Sequence, residues 1–151
     1  MSIQPPTHIL VIDEIPLIAV GLHETFRFID PAIRVEHTEN VFTALSAKSF
    51  EAVDWQLIIL GSTEENTPGS LLLPAAELKA KFPGSHLMIY TGTYDPHIIE
   101  KMKETGIDAY VHKAEPVDEI RKAYQYIMAG EPYISGIFHT LFFDYRYGVK
   151  R

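Results

Sequence analysis

Four short apolar runs in this sequence each end at a position where chemistry is expected. His8-Ile9-Leu10-Val11-Ile12 leads into the acidic pair Asp13-Glu14, Leu87-Met88-Ile89-Tyr90 into Thr91, and Ala109-Tyr110-Val111-His112 into Lys113. Adjacent carboxylates bind divalent cations through hard oxygen ligands. A hydroxyl and an ammonium group donate charge-assisted hydrogen bonds to phosphoryl oxygens. These three positions look like parts of a phosphoryl-transfer site. The fourth run, Leu57-Ile58-Ile59-Leu60, ends at Gly61, which has no side chain at all.

The elements that must position these residues follow from hydrophobic periodicity. His8 to Ile12 reads as a buried strand, followed by Ile18, Leu22, Phe26 and Ile29 at helical spacing, with Pro16 in the first turn. Ile33 to His37 alternates like a strand with one wetter face, near a sheet edge. A short helix follows around Val41, Ala44 and Leu45. Leu57 to Leu60 is apolar throughout, as a central strand covered on both faces should be. Leu71, Ala75, Leu78 and Phe82 repeat as a helix closed by Pro83-Gly84, and Leu87 to Tyr90 makes the fourth strand. A helix from Pro96 stops at Gly106, Ala109 to His112 is the fifth strand, and Pro116 to Ala129 is the fifth helix. Five βα units in strict alternation imply a parallel sheet with helices on both faces. Strand-end residues then converge on one rim, where such sheets keep their sites.

Composition narrows the classes of function. The chain of 151 residues has room for one ordinary domain, is 46% hydrophobic and 11% aromatic, and carries a formal charge of −7. That charge argues against nucleic-acid binding by this domain, since phosphate contacts need clustered Lys and Arg. With no cysteine there is no thiol nucleophile, CxxC redox motif or cysteine zinc site. The seven histidines show no metal-ligand spacing. No stretch reads as a signal peptide or a bilayer span, so a cytoplasmic protein with no membrane contact is expected.

Taken together, Val11-Ile12-Asp13-Glu14-Ile15-Pro16-Leu17, Leu57 to Gly61, Ile89-Tyr90-Thr91-Gly92 and Ala109 to Pro116 resemble the four blocks of a response-regulator receiver domain. The likeness covers roughly residues 7 to 130. It implies a flavodoxin-like (βα)5 three-layer α/β sandwich, with a five-stranded parallel sheet in the order 2-1-3-4-5. It also implies a receiver domain over residues 1–130 and an aromatic-rich linker or helix over 131–151. In that family a histidine kinase passes a phosphoryl group to an aspartate at the third strand end. By resemblance Asp13 and Glu14 match the acidic pair that binds magnesium (Mg2+), Thr91 the switch hydroxyl, Tyr110 the switch aromatic and Lys113 the family lysine.

Gly61 departs from that pattern at the phosphoacceptor. A glycine supplies neither the attacking oxygen nor a metal ligand, so no cofactor is required and the acidic pair becomes a weak or vestigial metal site. Ser62 and Glu64 lie close in sequence but not at the acceptor position. Asp54 precedes the strand and, at about 3.3 Å per residue, lies roughly 20 Å away. Plainer readings accompany each residue: Asp13 and Glu14 as helix-capping carboxylates, Thr91 as a loop hydroxyl, Tyr110 as half-buried packing. Lys113, without a phosphoryl group to meet, is expected to pair with Asp13 or Glu14.

The stretch Gly130 to Ser135 resembles the exit from receivers of NarL/LuxR-type transcription regulators, where a helix-turn-helix domain follows. DNA binding would belong to such a further domain. The residues after it include Phe138, Leu141, Phe142, Phe143, Tyr145 and Tyr147, too apolar for a solvated linker. They either pack on their own domain or form a homodimer contact. The resulting expectation is an atypical, phosphorylation-independent receiver rather than an enzyme, partnered by a histidine kinase or another signalling protein. A stand-alone adaptor and a small-molecule-binding pseudo-receiver are the alternatives.

Overall fold

Runs that are apolar at every position form the middle of the sheet, and the alternating run forms an edge. In the computed structural model, which describes residues 6–62 and 68–148, β1 (His8–Ile12), β3 (Trp55–Ser62), β4 (His86–Thr91) and β5 (Ala109–His112) are mostly buried. By contrast β2 (Arg34–Thr38) alternates between exposed and half-buried positions before a buried Thr38. All pairings are parallel.

The sheet holds six strands in the order β2-β1-β3-β4-β5-β6, which corrects the expected five. The extra strand, β6 (Tyr133–Ile134), pairs with β5 through Ala109 opposite Tyr133 and Tyr110 opposite Ile134. Two residues after Pro132 carry no periodicity that a sequence reading can detect. Their pairing comes from the backbone: Tyr133 N donates to Asp108 O and Ser135 N to Tyr110 O, each at 3.0 Å.

Alternation along the strands divides the core into two layers. On one face α1 (Pro16–Ile29) and α6 (Asp118–Met128) place Ala19, Leu22, Phe26, Ile120, Ala123 and Ile127 against Ile9, Val11, Leu57 and Ile59. Phe26 meets Tyr124 edge-on at 5.5 Å, tying the two helices together. On the other face lie α2 (Val41–Ser46), α4 (Leu72–Lys81) and α5 (Pro96–Thr105). They contribute Ala44, Ala75, Leu78, Ile98 and Met102 over Leu10, Ile12, Ile58 and Leu60. Each fully buried Leu, Ile or Phe contributes about 1.5–3 kcal/mol relative to exposure. A single turn, α3 (Lys48–Glu51), was not anticipated and buries no residue.

A last helix, α7 (Gly136–Tyr147), packs on its own domain through Phe138, which is fully buried. Its other side leaves Phe143, Tyr145 and Tyr147 exposed. Among the described residues no helix is long and apolar enough to cross a membrane.

Candidate functional site

Strand register, not proximity in sequence, assembles the rim. Ile12 lies opposite Leu60, so the next residues along, Asp13 just past β1 and Gly61 still within β3, stand side by side. Gly61 in turn pairs with Tyr90, and Thr91 with His112, which brings Lys113 to the same end. The Lys113 amide donates to Thr91 O at 3.0 Å and the Asp13 amide to Thr38 O at 3.1 Å. His37 Nε2 donates to the Asp13 carbonyl at 2.7 Å, fixing the backbone of the acidic pair from β2.

The carboxylate of Asp13 fills the space beside Gly61. A Cβ built on Gly61 would overlap Asp13 Oδ2 and stand 2.9 Å from its Cγ and 3.1 Å from Ile12 O. Asp13 is buried, and its Oδ2 accepts from Lys113 Nζ at 2.7 Å while Oδ1 accepts from the Ile15 amide at 2.9 Å. The Lys113 side chain is itself only 14% exposed. A carboxylate this deep needs a counter-charge and filled lone pairs to be tolerated. Both are present.

The remaining rim residues are engaged or turned away. Glu14 is exposed, so of the two partners expected for Lys113 it is Asp13 that takes it. Thr91 is buried and its Oγ1 accepts from the Thr93 amide at 3.2 Å. Lys113 Nζ also stands 5.8 Å from the centre of the Tyr90 ring. Burial, and secondarily the Asp13 charge, push the Tyr90 phenol above its ordinary value. Ser62 ends β3, and Glu64 lies outside the described residues.

A divalent ion does not fit the donors as they stand. It would need several converging oxygens, yet both Asp13 oxygens are taken, one by an ammonium group that would repel the metal. Gly61 offers no side-chain oxygen, and among the described residues no three His, Asp or Glu converge.

Tyr110 is wholly buried rather than half-buried. Its hydroxyl donates to Thr93 O and accepts from the Asp95 amide, both at 2.9 Å. Burial pushes its phenol far above the ordinary range, opposed by the Asp95 amide bond. Its ring stacks on Phe138 at 3.9 Å between centres and 7° between planes. Sequence reasoning did not single out this contact, nor Glu115, whose Oε1 accepts from the Ile137 amide at 2.8 Å at the start of α7. The dense aromatics of the tail were the available signal.

Comparison with known proteins bears on the fold. No protein-family model matches the sequence, and no curated protein sequence matches it. Solved structures do. A LuxR family DNA-binding response regulator from Silicibacter pomeroyi superposes with a TM-score of 0.72 at 23% identity, over 86% of this chain and 98% of that one. The isolated receiver domain of RcsB from Salmonella enterica serovar Typhimurium gives 0.74 at 16% identity, over 90% and 98%. RcsB bound to a promoter gives 0.77 at 18% identity, over 96% of this chain and 70% of that one. The fold is that of a response-regulator receiver. At these identities the likeness establishes the architecture.

Proposed function

We propose that this chain is the receiver part of a bacterial two-component regulator of the LuxR type, and that it signals without phosphorylation at the third strand end. One observation carries the reading: where the acceptor carboxylate would stand, Asp13 already lies, buried and bonded to Lys113. Attack on phosphorus needs an accessible nucleophile, and transfer needs free cationic groups to take up the phosphoryl charge. Gly61 supplies no nucleophile, and Lys113 is already neutralised. Its signal then enters as a population shift driven by a differential contact from a partner protein, a ligand or a second copy. A histidine kinase or another signalling protein is the natural partner class, and DNA binding would belong to a further domain; the neighbour RcsB, of which this chain spans 70%, is bound to a promoter.

The test is intact mass after incubation with magnesium and a small-molecule phosphodonor. The native chain should show no phosphoryl adduct. A stable adduct would overturn the reading, because another residue would then be the acceptor. Gly61→Asp run alongside displaces the Asp13 carboxylate and restores the missing oxygen, and it should acquire an adduct.

A further inference from the structure

The rim and the tail helix share a short stretch of chain. Lys113 is anchored to Asp13, and two residues later Glu115 caps the first turn of α7 through the Ile137 amide. Between them the Ala114 amide donates to His112 Nδ1 at 2.9 Å, and the His112 ring packs on Phe138 at 4.9 Å. The His112 amide donates to Ser135 Oγ at 3.0 Å, just ahead of α7. The segment from Lys113 to Glu115 is thus held at both ends, by the rim at one and by α7 at the other.

A second connection runs through Tyr110. Phe138 lies flat on its ring and within 6.1 Å of Tyr94, while the Tyr110 hydroxyl bridges Thr93 O and the Asp95 amide. Asp95 caps α5 by accepting from the His97 amide at 3.0 Å. Thr93 donates its own amide to Thr91 Oγ1. The loop from the rim residue Thr91 to the start of α5 is thereby held in place by a ring that the tail helix clamps.

We propose that α7 is a latch coupled to the rim: seating of Phe138 on Tyr110 and closure of the Asp13–Lys113 pair form and release together. A contact that opens the pair loosens α7 and uncovers Tyr94, Tyr110 and the side of α5. A contact that lifts α7 loosens the pair by the same factor, since coupling between equilibria is reciprocal. This goes beyond the absence of phosphorylation and does not depend on it.

Residue-resolved amide hydrogen exchange on the full chain tests the coupling. Lys113→Met should speed exchange of the Ile137 and His139 amides about tenfold, while the Asp30 amide at the end of α1 changes much less. Phe138→Leu should speed exchange of the Ile15 amide, which reports the seated Asp13 carboxylate. If Lys113→Met prevents folding, Glu115→Ala serves in its place, because it cuts only the link to α7. It should accelerate Ile15 as well as Ile137. Unchanged α7 exchange in Lys113→Met, equal acceleration of every amide, or an Ile15 amide indifferent to Glu115→Ala would each overturn the proposal. None of these readouts involves a phosphodonor, so the outcome is separate from that of the mass measurement.

Discussion

At the rim, the space beside Gly61 is filled by a carboxylate from the neighbouring strand; at the β5 edge, the face of Tyr110 is covered by a phenyl ring from the tail. Both fillers are buried and both come from the chain itself. They differ in what holds them. Asp13 remains buried because Lys113 and the Ile15 amide satisfy it, and the loss of one partner strands a charge in a poorly hydrated site. Phe138 has no polar debt, and its contribution declines gradually as contact area is removed. The charged site is therefore brittle and the aromatic one compliant, although both sit against the same loop.

The sharpest way to break that contrast is Lys113→Met. A buried pair broken at one partner typically loses about 3–5 kcal/mol, and urea unfolding should show a loss in that range. The double variant Asp13→Asn, Lys113→Met should recover a large part of it, because no charge is then left unpaired. A loss below about 1 kcal/mol, the level of an exposed ion pair, would mean that water reaches the rim freely and that the contrast with Phe138 is false.

Gly61→Ala probes the same space from the other side. The added Cβ must displace the Asp13 carboxylate from Lys113, and overpacking of this kind costs about 1–3 kcal/mol. In an Asp13→Ala background the side-chain obstacle is gone and the backbone Ile12 O, at 3.1 Å, remains. The backbone at Gly61 is not in the left-handed region, so the same change should cost much less there, with the unfolded-chain gain of roughly 0.4–1 kcal/mol set against the remaining contact with Ile12 O. A double-mutant cycle measures the difference directly. Equal costs in both backgrounds would show that Asp13 does not occupy the acceptor's place.

Much of this was legible before any coordinates. The five longer strands follow from apolar runs, although β3 and β4 run on through Gly61 and Thr91, and Gly61 stands out because every other rim position carries a functional group. The choice of Asp13 over Glu14 as the lysine's partner was not legible. It depends on which of two consecutive residues turns inward, and the Ile12–Leu60 register decides that. Nor was the overlap of Asp13 with the missing side chain, which depends on where the Asp13 carboxylate comes to rest in three dimensions. β6 escaped notice because two residues after a proline have no period. The tail's aromatic content said that something must be covered, but Phe138 as the covering residue depends on where Ser135 and Glu115 pin the first turn of α7.

The smallest effect is an alkaline one, and it sharpens the account of the aromatic side. Burial, followed by Tyr145, Asp95 and Glu100, pushes the Tyr94 phenol up to about 12, and its hydroxyl has no hydrogen-bond partner among the described residues. Tyr110 is raised further, mainly by burial. A phenol whose folded value lies above the unfolded one, about 10, binds its proton more tightly in the folded chain. Its contribution to stability is complete below about pH 10 and is lost as pH rises through the folded value. Ultraviolet titration should show Tyr94 and Tyr110 ionising only near the alkaline unfolding transition. In Phe138→Ala the cover over both rings is removed, so Tyr94 should ionise at a lower pH than in the native chain. If Tyr94 still titrates late in that variant, the ring is protected by α5 and β5 rather than by the tail, and α7 would be a passenger on the sheet edge.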